Sequence, residues 1–387
     1  LRKKESSLDE EFVNNLAEKL KLKIFTTSFN TEDYAKKNKE STQIAARNLR
    51  YQWFQELLKE YHFDYILTAH HADDNLETFL INLTRGSGLV GFTGIPKING
   101  NIVRPLLVFS REEIINFAKE NKIEWREDKS NASTKYIRNK IRHQIVPVLK
   151  EINPSLLETF SKTIENLQES KQIIDDRVEE VSKKVIDNNL FKELEKIKFD
   201  IQKIKELSNP KAYLFQLLKA YNFTEWNDVY NLISAQSGKQ VFSKTHRLLK
   251  DRNFLLLTKI EEKNKPDIFY IDNETSTTTS PICLNFEEVN EKIITNKQTI
   301  YLSKSLLKFP LILRKRQEGD CFYPAGMKGK KKVSKYFKDE KLSLLEKENT
   351  WLLCNNNNEI IWIVNRRLDE RFSSVKENSS LLKITFQ

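Results

Sequence analysis

Short β-type runs alternate with amphipathic helical stretches through residues 1–150, and this alternation restricts the fold more than any other feature of the chain. Glu10–Leu20 has helical periodicity, Lys23–Ser28 (KIFTTS) is a β-type run, and Ser41–Tyr61 is a long helix. The apolar stripe of that helix is Ala45, Leu49, Phe54, Leu57 and Leu58, with Ser41 as its N-cap. Tyr65–Thr68 (YILT) is a buried-type strand, Asp73–Arg85 a helix, Ile102–Leu107 a strand and Arg111–Glu120 a helix. Parallel strands need long crossovers, so strands separated by helices of roughly 10–20 residues imply a parallel sheet. An α/β domain is expected over residues 1–150. Ligands on such sheets bind beyond the carboxyl ends of the strands.

The pattern then changes. Residues 154–260 are dominated by amphipathic helical stretches (Leu156–Asn188, Phe191–Leu207, Lys211–Asn222, Glu225–Gln236), closed by a β-hairpin around Val241–Thr258. This predicts a helical middle domain. Residues 261–305 are polar, include the low-complexity run Thr275–Ser280, and read as a linker or peripheral β segment. Residues 306–387 return to strand and loop signals, with Trp351, Trp362 and alternation in Glu359–Val364, and predict a small α+β C-terminal domain. At about 150 residues per domain, 387 residues accommodate two or three.

Several classes are excluded. No run approaches the roughly 18 apolar residues of a membrane span, and no secretory signal opens the chain. Three distant cysteines (Cys283, Cys321, Cys354) form neither a disulfide framework nor a zinc-ligand set, which fits a reducing cytoplasm. The net charge of +11 suits an anionic partner without identifying one. None of the nine glycines precedes Gly86, so the first 85 residues hold no glycine-rich phosphate loop.

Four stretches carry chemistry. In Thr68-Ala-His70-His71-Ala-Asp73-Asp74-Asn75-Leu76-Glu77, a strand delivers an imidazole and two carboxylates to a helix start. At helical spacing His70, Asp74 and Glu77 share a face, while Leu76, Phe79, Leu80 and Leu83 point to a core. Such a cluster holds a cation or ammonium, or does acid–base work. Capping by Asp73 and Asp74 is the equal alternative. Zinc is disfavoured, because the second histidine of a zincin helix is missing. In the second stretch, Arg85–Pro96, Gly86, Gly88, Gly91 and Gly94 require a backbone reason or form a mobile loop. The third is Arg47-x-x-Arg50-Tyr51 together with Arg138-Asn-Lys-Ile-Arg142-His143, where Arg138 and Arg142 share a face with Lys135 a turn before. Arginine forks suit phosphates, although a solvated basic face is the commoner reason for this pattern. The fourth runs from Arg314 to Lys332, within a span (303–350) holding 13 Lys and Arg against 6 Asp and Glu. Its cations, including Arg316, Lys328, Lys330, Lys331 and Lys332, alternate with Phe322, Tyr323, Tyr336 and Phe337, a pattern suited to phosphate contacts and base stacking.

In this order the segments AHHADDNLET, RGSGLVGFTGIP, RPLL followed by SREEI, WREDKSN, RNKIRH and RxxGDxFxPxGMxGKKK resemble the tRNA(Ile)-lysidine synthetase family of PP-loop ATP pyrophosphatases. The resemblance runs from Leu1 to the C-terminus and is weakest over 154–300. It implies a PP-loop domain at 1–150, a tRNA-positioning helical domain at 154–260 and a C-terminal tRNA-binding domain at 306–387. It also implies ligation of L-lysine to C2 of the wobble cytidine of a CAU-anticodon tRNA(Ile). ATP adenylates the base, lysine then displaces AMP, and codon reading switches from AUG to AUA.

Carried over by position, Asp74 and Glu77 hold the lysine ammonium, and His70, Arg50 and Arg142 contact ATP or the adenylate. Asp74, His70 and Arg142 are the implied catalytic residues. Gly86 and Gly88 lie near the reacting base, and Arg138, Arg316, Lys330, Lys331 and Lys332 contact tRNA. Magnesium enters only with the nucleotide, and no protein-bound metal is implied. The oligomeric state stays open, a homodimer being one option. The family's Ser-Gly-Gly-x-Asp-Ser loop does not occur in the chain, so a longer natural polypeptide is expected. Two alternatives remain: a non-catalytic tRNA-binding relative, and another PP-loop enzyme such as a tRNA thiolase.

Overall fold

The computed structural model describes residues 3–127, 137–187, 196–260, 268–289, 296–327, 329–373 and 381–387. Lys135, Lys328 and the second half of WREDKSN lie outside them. The chain divides into two compact units, Leu1–Arg177 and Val178–Gln387.

The first unit runs α1 (Lys3–Lys19), α2 (Thr31–Asn38), α3 (Thr42–Tyr61), β1 (Ile66–Leu67), α4 (Ala72–Thr84), α5 (Leu89–Phe92), β2 (Ile98–Asn99), β3 (Ile102–Val103), α6 (Arg111–Glu120), α7 (Ile137–Lys140), α8 (Val146–Ile152) and most of α9 (Leu156–Val185), whose last eight residues belong to the second unit. Local chemistry sets the helix starts. The Ser41 hydroxyl accepts from the Ile44 N–H, and Ser110 and Glu113 form a reciprocal capping box ahead of α6. β1 pairs parallel with β3 (Ile66↔Ile102, Leu67↔Val103), as the alternation predicts, and β2 returns antiparallel.

Three expectations are corrected here. Lys23–Ser28 is not a strand: it forms no ladder among the described residues, and a β-type composition without a partner leaves only extended chain. The Ile102–Leu107 strand stops at Val103, because Pro105 lacks an N–H and opens a 3-10 turn. Leu83 is exposed, and the buried stripe of α4 is Leu76 with Phe79, Leu80 and Ile81 against Ile141, Val146, Phe160 and Ile164.

In the second unit, β4 (Lys196–Asp200) leads into α10 (Ile201–Lys205), α11 (Pro210–Leu218) and α12 (Trp226–Asn231). β5 (Gln240–Phe242), β6 (His246–Asp251) and β7 (Phe254–Lys259) complete a sheet of order β4-β7-β6-β5. Phe191–Leu207 is therefore not one helix. Its described part is a strand paired with β7 (Phe199↔Leu255), followed by a short helix that Asp200 caps. Pairing with an existing hairpin outweighs weak helical periodicity.

Residues 268–303 supply β8 (Ile268–Ile271), β9 (Thr277–Thr278), β10 (Leu284–Val289) and β11 (Thr299–Ser303). The segment read as linker or periphery thus contributes Ile271, Leu284, Phe286, Ile300 and Leu302 to the main apolar cluster of this unit.

The remainder comprises β12 (Leu311–Lys315), β13 (Cys321–Phe322), β14 (Lys331–Lys332), α13 (Val333–Asp339), α14 (Leu344–Asn349), β15 (Trp351–Cys354), β16 (Ile360–Ile363), β17 (Arg367–Leu368) and β18 (Leu381–Phe386). Their sheets have the orders β17-β16-β15-β12-β8 and β11-β18-β10-β9, with a β13-β14 ribbon. The mixed α/β class read from the sequence is the class observed. Among the described residues no helix is long and apolar enough to cross a membrane.

Candidate active site

β1 ends at Leu67, and the chain turns through Thr68–His71 into α4 at the carboxyl end of the parallel pair. His70 therefore precedes the helix instead of lying on its face. Its Nδ1 is 3.0 Å from the Thr68 hydroxyl. Burial lowers its pKa against the pull of Asp74, and Arg104, Arg138 and Arg47 lower it further, so the imidazole is neutral near pH 7.

The carboxylates face arginines. Glu77 is 1% exposed. Arg142 grips it through Nε to Oε1 (2.6 Å) and Nη2 to Oε2 (3.0 Å), and Arg138 Nε donates to Oε2 at 2.7 Å. Asp74 Oδ1 accepts from Arg138 Nη2 (3.2 Å) and Arg142 Nη2 (3.3 Å), and its Oδ2 accepts from the His71 N–H (3.1 Å). The hydrogen bond from Arg142 to Glu77 raises the arginine's pKa despite burial. The two arginines come from α7 and from the π-helical turn Ile141–Ile145 after it, and Ile141 and Val146 anchor that turn in the core behind α4. One-turn π segments recur at functional sites.

Asp73 has another task. It accepts from the Arg111 N–H and from Lys150 Nζ, both at 2.8 Å, and so ties α4 to α6 and α8. Burial would raise its carboxyl, but those two donors hold it below the ordinary value. The stability gained is present above the unfolded-state carboxyl pKa and is lost as pH falls through the lower folded value. Asp73→Asn should therefore flatten the acid limb of an unfolding midpoint measured against pH; an unaltered limb would contradict this role.

The glycine stretch folds back on α4. A Cβ on Gly94 (φ +75°) would lie 2.5 Å from Asn75 Oδ1, which accepts from the Ile95 N–H at 2.7 Å. Gly91 is equally crowded by Ser87, and its carbonyl accepts from Asn82 at 2.8 Å. The loop is clamped at Gly91 and Gly94, whereas Gly86 and Gly88 face open space. Arg50 is exposed and makes no hydrogen bond or ion pair among the described residues; Arg47, a turn earlier, is the α3 arginine whose charge reaches His70. Sequence reasoning gave no role to Thr68, Asn75, Asn82, Arg104 or Lys150, although Thr68 and Asn75 lie in the first stretch and Arg104 in RPLL. Arg104 is buried and donates to the Pro96 carbonyl at 2.8 Å.

In the second unit, Arg316, Lys330 and Lys332 are exposed, while Lys331 pairs with Asp339 at 2.8 Å and is largely covered. Arg316 lines an open groove with Lys315, Lys347 and Glu348. Three of the four interleaved aromatics are not stacking surfaces. Phe322, Tyr336 and Phe337 are buried between the β-ribbon and the inner face of α13, because a ribbon and a short helix need their own apolar filling. Tyr323 is half-buried, and the Arg371 guanidinium lies over its ring at 4.7 Å. Arg314 is also buried, and binds Asp320 through two parallel hydrogen bonds (2.8 and 2.9 Å) that pin the loop base.

No group of three or more His, Cys, Asp or Glu side chains is placed to hold a metal among the described residues. Asp73, Asp74 and Glu77 are matched by cationic side chains instead.

The carboxylate–arginine cluster lies at the carboxyl end of the parallel β1–β3 pair, where ligands of α/β domains bind, and a PP-loop domain model matches residues 1–149. That match does not confirm the expectation of a missing loop. The TilS substrate binding domain matches residues 192–260, and the TilS substrate C-terminal domain matches 311–384. The tRNA(Ile)-lysidine synthase of Parabacteroides distasonis is 39% identical over all of this chain and 87% of its own length. That of Bacteroides thetaiotaomicron is 36% identical over 96% and 84%. That of Bacillus subtilis is 29% identical over 93% and 80%. A solved TilS C-terminal domain covers 31% of this chain and 96% of its own at 16% identity and a TM-score of 0.28. The chain belongs to the tRNA(Ile)-lysidine synthase family.

Proposed function

We propose that the protein ligates L-lysine to C2 of the wobble cytidine in a CAU-anticodon tRNA(Ile), in the cytoplasm, using ATP as co-substrate. The observation that carries the reading is the meeting of Asp74 and Glu77 with Arg138 and Arg142 just past β1. ATP adenylates the C2 oxygen and pyrophosphate leaves. The lysine ε-nitrogen then bonds to C2 as the C2–O bond breaks and AMP departs. Asp74 orients the ammonium and takes a proton from it, a task for a carboxylate next to an amine nucleophile. Arg142 and the neutral His70 face the adenylate, where fixed donors stabilise departing negative charge. The product reads AUA instead of AUG. Cys354 is a poor sulfur carrier, because its thiol is buried and its pKa is pushed up to about 12. The test is ATP-dependent transfer of labelled lysine to that tRNA by the full-length polypeptide; no transfer rejects the reading.

The exposed cations of the second unit are proposed to grip tRNA phosphates. Replacing Lys330 and Lys332 by Ala should weaken binding and reduce the slope of log K against log salt by about 0.7–0.9 per lost contact. Lys331→Ala should change it less, because Asp339 already holds that ammonium. A slope unchanged in the double variant removes the patch from the interface.

A further inference from the structure

The proposed reaction asks Asp74, beside Glu77, to hold a primary ammonium, yet both carboxylates already hold guanidinium groups. With Arg138 and Arg142 in place the cluster is neutral. An added ammonium would set three cations against two carboxylates. Among the described residues the neighbours offer no spare anion: Asp73 is matched by Lys150, His70 is neutral, and Arg104 and Arg47 add positive charge. Release of one guanidinium restores the charge balance.

The geometry distinguishes them. Arg142 makes two parallel bonds to Glu77, its side chain is 19% exposed, and its backbone is pinned by Ile141 and Val146. Arg138 makes one short bond to Glu77 and longer ones of 3.2 and 3.3 Å to Asp74, and its side chain is 40% exposed. Forked, buried pairs hold most strongly. If Arg138 leaves, Glu77 keeps its bidentate partner and no carboxylate is left buried and unpaired.

We propose that Arg138 is an internal occupant of the amine site: its guanidinium sits where the lysine ε-ammonium is held, and lysine enters by displacing it while Arg142 stays. This rests on the lysine-binding reading above. It moves Arg138 from the tRNA interface, where the resemblance put it, to control of amine entry. A cation that cannot outcompete a tethered guanidinium is rejected, and the apparent affinity for lysine is reduced by the fraction of time that the site is filled.

The experiment is calorimetric titration of L-lysine into the full-length polypeptide, its Arg138→Ala and Arg138→Gln variants, and Asp74→Asn. An occupant present nine times in ten predicts about tenfold tighter lysine binding in both Arg138 variants. Added guanidinium ion should weaken lysine binding in Arg138→Ala, an effect that a scaffolding arginine would not produce. Unchanged or weaker lysine binding in both folded variants overturns the proposal. Asp74→Asn separates the two readings: if it binds lysine like the parent, the lysine-site assignment fails; if it loses lysine while the Arg138 variants match the parent, only the occupant idea fails.

Discussion

Asp74→Asn is expected to lower kcat/KM for lysine by about 10²–10⁴-fold, the range for a positioned acid–base group, with tRNA affinity unchanged. The substitution keeps the size of the side chain and removes the charge that orients an ammonium and accepts its proton. Asp74 is suited to this because its side chain is 14% exposed against 1% for Glu77, and its arginine contacts are the longer ones, 3.2 and 3.3 Å. Its Oδ2 also accepts from the His71 N–H, so a structural contribution is part of the measurement. Matched thermal unfolding and tRNA titration separate the two. If tRNA affinity collapses along with transfer, Asp74 is a scaffold residue and the amine must be held elsewhere.

Glu77→Gln should act chiefly on folding. Glu77 is almost fully buried and receives three hydrogen bonds from two arginines. Removing one partner of a buried ion pair leaves the others uncompensated, at a cost of about 3–5 kcal/mol. Here two guanidinium groups would face each other with only Asp74 between them. Partial exposure of Arg138 places the expected loss near the lower end, about 3 kcal/mol, read as a shift in the urea midpoint. A loss below about 1 kcal/mol would mean that the arginines find other partners, and that Glu77 does not organise the cluster.

These two residues show how much of the site was readable. The spacing of Asp74 and Glu77 places both on one side of α4, and the strand before them fixes the sheet edge to which they belong. What they face was not readable. Arg138 and Arg142 lie 61 to 68 residues further along, and a shared arginine face carries no label for its partner. The same limit explains the C-terminal aromatics: alternation with lysines suggested exposed rings, but only packing shows that Phe322, Tyr336 and Phe337 fill the space under α13. Elements with their own end signals were legible, such as α6 with its capping box and α3 behind Ser41. β4 was not, because Lys196–Asp200 becomes a strand only by pairing with β7.

A crystal structure of the full-length polypeptide grown with L-lysine tests the central claim most directly. The expected result is the lysine Nζ within about 2.7–3.0 Å of an Asp74 carboxylate oxygen, Arg142 still forked on Glu77, and Arg138 displaced. Lysine bound away from Asp74, with all four side chains as they stand now, would contradict it.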